Sequence, residues 1–341
     1  MVSGYSVPSS RLNDGKKKSP RLIKPHRLPP PDTDHSADLW APELHALQGR
    51  WYVYVAAANP KHGNRSHRMY VLGGPPSDSD PHVQSGWEFL GPLRNMDQKQ
   101  WAIDGTVFDL DGTLYFAYSG WPLDRAPDDY DERTQQLFVA RMSDPCTLAS
   151  PPTMISTPDR EWERSDDKGI NEGPQFLSSP DDSWRGLAYS CAGSWTKEYK
   201  MATLQYLGGC DPLDPSAWKK SAEPLIQNSG ENGKGPFGPG HGNFVRVGDE
   251  TMAVFHATDG AGDGWSGRKC RLQRVVFEGV DGGPHMGGCV GEVTRDLGVF
   301  SGEGGHGHGH GHGHGHGHSA GKKDGKGAKL KGVLESIAKK I

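Results

Sequence analysis

The feature that most limits what this chain can fold into is a hairpin pattern that occurs four times. WAPELHALQGRWYVYVAA begins at Trp40, AIDGTVFDLDGTLYFAYSG at Ala102, INEGPQFLSSPDDSWRGLAYSCAG at Ile170 and GHGNFVRVGDETMAVFHAT at Gly240. Each places a polar residue beside a small residue or proline, then an apolar strand, a turn, and a second apolar strand ending in small residues. The polar residues are Glu43, Asp104, Glu172 and His241, spaced 61, 68 and 69 residues apart. A third strand follows each hairpin, from Arg68, Gln136, Tyr199 and Arg268. After the first three comes a fourth candidate, WEFLGPL, TLASPPTMIS or WKKSAEPLI. Four strands in each repeat describe a β-propeller blade, and the first strand of every blade lines the central channel. One polar residue from each repeat is therefore expected to converge there. A β-sandwich with coincidentally similar turns is the competing fold.

Composition separates this body from its ends. Residues 1–30 hold seven Lys/Arg against one Asp, residues 301–341 hold seven Lys against three acids, and the overall formal charge of −4 leaves −14 for the middle. An acidic body repels a polyanion, which argues against nucleic acid as a partner of the folded part. No apolar run reaches the ~18 residues of a membrane-spanning helix. Five scattered cysteines without a Cys-x-x-Cys pair indicate neither a zinc ribbon nor a dense disulfide framework. The sequence predicts a basic disordered arm over 1–35, an all-β propeller-type body over 36–300, a Gly-His linker over 301–325 and a basic amphipathic helix over 326–341.

The motifs SADLWAPELHALQGRWYVYVAA, AIDGTVFDLDGTLYFAYSGWP, NEGPQFL, GPGHGNFV and FHATDGAGDGWSGRKCRLQRVVF, in this order, resemble glycoside hydrolase family 43, in particular its arabinofuranosidases and exo-arabinanases. The resemblance spans about 36–300 and implies a five-bladed propeller, of which four blades are recognisable, and an inverting glycosidase acting on α-L-arabinofuranosyl linkages of plant arabinan or arabinoxylan. Inverting hydrolysis needs a protonated carboxyl for the leaving oxygen and an ionised one to activate water on the opposite sugar face. By resemblance, Glu172 is the general acid and Asp104 the carboxylate that keeps the acid protonated and orients it. His241 matches an axial histidine that holds calcium or a water; its ring could equally be satisfied by channel backbone. The family's general base belongs to a blade ahead of the Trp-Ala-Pro-Glu repeat, and this chain's own spacing places it before Met1, so a chain lacking the first blade and the base is expected. Asp32, Asp34 and Asp38 are the nearest upstream acids and carry no strand pattern. Trp40, Trp121, Phe237 and Trp265 are candidates for sugar stacking or for blade packing, Arg268 for bonding sugar hydroxyls, and Glu43 for a structural role. A sugar-binding propeller without catalysis and a β-xylosidase are the alternatives. The resemblance implies a monomer that is exported, although the N-terminus shows no apolar signal core.

Beyond residue 300 the family pattern stops. His306, His308, His310, His312, His314, His316 and His318 alternate with glycine, a flexible tract that could chelate Zn, Cu or Ni or serve as a plain linker. Leu330, Val333, Leu334, Ile337 and Ile341 then fall on one helical face among lysines, a pattern suited to an anionic membrane surface or to docking on the chain's own body.

Overall fold

The computed structural model describes residues 29–82, 85–123, 134–166, 168–228, 235–278 and 282–289. The His-rich tract and the C-terminal amphipathic segment lie outside the described residues. Among the described residues four antiparallel sheets follow one another. The first is β1 (Ala37–Leu47), β2 (Arg50–Ala58), β3 (Arg68–Pro76) and β4 (Glu88–Pro92). The second is β5 (Ala102–Leu110), β6 (Thr113–Gly120) and β7 (Thr134–Asp144), with β8 (Thr147–Leu148) and β9 (Thr153–Ser156) both on β7. The third carries a short β10 (Arg164–Ser165) on β11 (Lys168–Ser178), then β12 (Arg185–Cys191), β13 (Lys200–Tyr206) and β14 (Trp218–Lys220). The fourth is β15 (Phe237–Val247), β16 (Glu250–Thr258) and β17 (Lys269–Val275). These are the blades expected from the repeat. Their first strands lie side by side, β5 against both β1 and β11, and β11 against β15. A short parallel pairing of Gly169 and Ile170 with Thr134 and Gln135 joins the second and third sheets.

The period-2 alternation of the strands explains why the sheets stack face to face. On β6, Phe116 and Tyr118 point to one side, where they join Tyr54, Met69 and Val71 of the first blade. Tyr115 and Ala117 point to the other, with Leu187, Tyr189 and Trp218 of the third. The same rule on β12 sends Leu187 and Tyr189 back to the second blade and Ala188 forward to Ala253 and Phe255 of the fourth. Each middle strand is thus apolar on both faces, a pattern otherwise typical of sheets covered on two sides. At Gly105 an added Cβ would lie 2.1 Å from Phe116 Cζ, so the inner strand of the second blade needs glycine to approach its neighbour.

Ordered packing begins ahead of the boundary at residue 36 that composition suggested. The His35 ring stacks on Phe89 with centroids 4.2 Å apart, the Tyr70 hydroxyl donates to the Asp34 carbonyl at 3.0 Å, and Asn59 Nδ2 donates to Asp34 Oδ1. These contacts lie beside the small apolar cluster of Val55, Ala57 and Tyr70 on the first blade. None of the five cysteines is in a disulfide.

A buried polar network braces the third blade from behind. Glu163 is fully buried and receives Lys220 Nζ at 2.9 Å, Tyr189 hydroxyl at 2.8 Å, Asn171 Nδ2 at 2.7 Å and the Arg160 N–H at 2.9 Å. Ser156 donates to the other end of the Asn171 amide at 2.7 Å, which fixes the backbone immediately before Glu172. Removing the cation would strand a carboxylate in the interior, so Lys220→Met is expected to destabilise the fold by about 3 kcal/mol, measured as the shift in the urea unfolding midpoint at constant slope.

Candidate active site

The site arises from one irregularity that all four inner strands share. Between Trp40 and Glu43, Ile103 and Thr106, Glu172 and Gln175, and Gly240 and Asn243, three residues of the inner strand span the length of two on its partner. Each is a β-bulge, and the residue that opens it is left-handed: Ala41 (φ 42°), Asp104 (φ 55°), Gly173 (φ 55°) and His241 (φ 50°). A bulge re-aims a side chain out of the alternating pattern. Aspartate tolerates the left-handed region better than most residues. A non-glycine residue held there commonly marks a functional position.

The bulges correct the repeat alignment read from sequence. Asp104 and His241 are structurally equivalent, but Glu172 precedes the bulge position that Gly173 occupies, and Glu43 lies two residues beyond it. Asp104, Glu172 and His241 converge on one cavity of about 600 Å³. Glu43 does not line it. Its carboxylate is buried beside the neighbouring layer of inner-strand side chains, bonded to Gln175 Nε2 and to His45 Nε2. Asp32, Asp34 and Asp38 are also absent from the lining, so Asp104 and Glu172 are the carboxylates that the described residues bring to the cavity.

Asp104 Oδ2 accepts the N–H of Gly173 at 3.0 Å, which ties it to the backbone directly after Glu172. Burial raises the pKa of both carboxyls; the charge of Asp104 raises that of Glu172 further, and the charge of Glu43 does the same to Asp104. Glu172 is pushed up to about 7, by burial first and then by Asp104. The Gly173 N–H and the nearby His241 favour the ionised form of Asp104. In this coupled pair the negative charge therefore belongs on Asp104 and the proton on Glu172.

Aromatic rings form the walls. Trp40 stacks on the buried His67 at 3.9 Å, Trp101 and Trp121 stack at 4.8 Å and 5°, and Trp195 meets Trp265 edge-on at 6.4 Å. Arg268 Nη2 donates to the Ser194 carbonyl at 3.0 Å and Trp265 Nε1 to the Ser194 hydroxyl at 3.1 Å. Lys168 Nζ sits 5.2 Å over the Trp195 ring. Trp40, Trp121, Trp265 and Arg268 thus line the cavity as sequence suggested. Phe237 does not, because it opens β15 opposite Thr258, ahead of the bulge, with its ring against Gly235. Trp101, Trp195, Lys168 and Tyr199 line the cavity and were not foreseen. Trp195 had a legible signal: Trp121, Trp195 and Trp265 all follow the end of a blade's second strand.

The described residues contain no group of three or more His, Cys, Asp or Glu arranged to hold a metal. Calcium takes six to eight oxygen ligands, and His241 stands without such a cluster, so no chemical step is assigned to an ion there.

The model of glycosyl hydrolases family 43 matches residues 13–282. An extracellular exo-α-(1→5)-L-arabinofuranosidase of Streptomyces avermitilis is 31% identical over 258 residues, 74% of this chain and 50% of the relative. A protein of the same name from Streptomyces chartreusis is 33% identical over 229 residues, 67% of this chain and 65% of the relative. The chain thus spans half the length of the first and under two thirds of the second. The crystal structure of an α-L-arabinofuranosidase from Lactobacillus brevis superposes with a TM-score of 0.66 at 28% identity, covering 80% of this chain and 82% of that one.

A carboxyl whose folded pKa lies above its unfolded value stabilises the fold at low pH, and that stability is lost as pH rises through the interval. For Glu172 the interval runs from about 4.5 to about 7. Glu172→Gln is therefore expected to leave stability nearly unchanged at pH 4 and to raise it by about 2–3 kcal/mol at pH 8, read from urea unfolding at the two pH values.

Proposed function

The chain belongs to glycosyl hydrolases family 43, and from that membership we propose that it hydrolyses α-L-arabinofuranosyl linkages of plant cell-wall arabinan or arabinoxylan, outside the cell. The observation that carries the reading is the pairing of Glu172, a buried carboxyl protonated near neutral pH, with Asp104 in a cavity walled by tryptophans. The arabinofuranosidases among its relatives support the sugar, and the word extracellular in their names supports the location.

In this reading the sugar stacks on the tryptophan walls and bonds its hydroxyls to Arg268 and Lys168. Glu172 protonates the glycosidic oxygen as the bond breaks. Asp104 opposes early loss of that proton, because a second negative charge beside its own is unfavourable. Water then arrives from the opposite face and inverts the anomeric centre. Asp104 is bound to the residue after Glu172, so it flanks the acid rather than facing it across a sugar. Activation of the water is accordingly assigned to neither carboxylate.

Azide, a nucleophile that needs no base, tests this directly. With an aryl α-L-arabinofuranoside, azide is expected to accelerate aryl release and to yield the inverted glycosyl azide, seen by proton NMR. Glu172→Gln is expected to slow hydrolysis of an unactivated arabino-oligosaccharide by about 10²- to 10⁴-fold. Fast turnover without azide would overturn the unassigned base. Faster release from the aryl β-xyloside would overturn the choice of sugar. Oligosaccharide binding without turnover, azide present or absent, would leave a sugar-binding propeller in place of an enzyme.

A further inference from the structure

We propose that Tyr199 and His256 are positioning residues for the proton donor: Tyr199 occupies one oxygen of Glu172 and thereby leaves the transferable proton on the oxygen that faces the cavity. The inference rests on Glu172 as the donor in the reading above.

The hydrogens around Tyr199 can be assigned from their neighbours. Its hydroxyl lies 2.8 Å from Glu172 Oε1. Ser190, directly opposite Glu172 on β12, accepts the His241 N–H at 2.8 Å. A phenol has one hydrogen, and among the described residues the one acceptor within hydrogen-bond distance of the Tyr199 hydroxyl is Glu172 Oε1, so that hydrogen goes to Glu172. A carboxyl with Oε1 accepting carries its own proton on Oε2. Among the described residues that second oxygen has no hydrogen-bond partner, and Glu172 lines the cavity. The Tyr199 contact therefore leaves the proton of Glu172 on the oxygen that can meet the substrate.

The Tyr199 ring has no room to turn away. A Cβ on Gly240 would lie 2.0 Å from Tyr199 Cε1, so the backbone of the fourth blade presses directly against the ring. The His256 ring stacks on it at 5.7 Å and 9°. Neither ring nitrogen of His256 has a partner among the described residues, and both are shielded from solvent. Burial, Arg268 and His241 push its pKa down to about 2, so it stays neutral at any working pH. A neutral imidazole with no hydrogen-bond partner among the described residues contributes its flat face, which holds Tyr199 at Glu172.

The test is a carbon-13 NMR titration of glutamate-labelled protein, with the Glu172 signal identified by its loss in Glu172→Gln. A phenol donating to a carboxylate stabilises the charged form, so its removal raises the pKa. Tyr199→Phe is expected to raise the Glu172 midpoint from about 7 by about one to two pH units. His256→Ala is expected to move it the same way by less, and His256→Phe, which restores a flat ring, to return it. The basic limb of kcat/KM on an arabino-oligosaccharide with azide should move in parallel, with kcat down about tenfold in Tyr199→Phe. An unmoved midpoint in a Tyr199→Phe protein with a native backbone spectrum overturns the inference. Should Tyr199→Phe not fold, equal midpoints in the two His256 variants overturn it instead. A moved midpoint without any hydrolysis upholds the proton placement and overturns the hydrolase reading, whereas hydrolysis with an unmoved midpoint overturns this inference alone.

Discussion

The site depends on a backbone irregularity repeated in four strands. A regular inner strand would alternate its side chains between neighbouring blades and present nothing special to the channel. The bulge with a left-handed residue breaks that alternation once per blade, at the same level. In two blades the left-handed residue is itself the polar group, Asp104 or His241. In the third it is Gly173, whose N–H reaches Asp104 and draws two blades together at the point where Glu172 stands. The fold tolerates this strain because the strands on either side are packed into apolar layers on both faces.

Around that centre the electrostatics follow from burial. Two carboxyls in a low-dielectric site cannot both ionise cheaply, and their hydrogen bonds decide which one does. Asp104 is given a backbone N–H and a histidine, while Glu172 is left with a tyrosine on one side and the cavity on the other. In the proposed reaction stability and chemistry pull in opposite directions, since the charge it would leave on Glu172 is the one the interior resists. The Glu163–Lys220 network behind the third blade solves a different problem, holding the strand that carries Glu172 against the neighbouring sheet.

The parts legible in sequence were those encoded by local pattern. The blades could be counted from hairpins, and Asp104, Glu172 and His241 could be selected because each stands beside a glycine or proline in an otherwise apolar stretch. Glu43 satisfied the same local rule yet belongs two residues past its own bulge, and only the strand register reveals that displacement. Phe237 failed similarly: an aromatic near a motif says nothing about which side of a pleat it takes. Tyr199 carried no local signal at all. It precedes a third strand, and its value to Glu172 comes from Gly240 and His256 in another blade.

By itself the sequence determined the period, the strand content, the apolar faces that make the blades stack, and the residue types available for acid–base chemistry. These are properties of nearest neighbours along the chain, where alternation and turn residues act within a few positions. The tertiary structure alone decided which carboxyls share a cavity, which of them burial favours protonated, and which oxygen of Glu172 Tyr199 occupies. Those outcomes depend on burial and on hydrogen bonds between residues some seventy positions apart, as Gly173 and Asp104 are, and such distances exist only once the blades have packed.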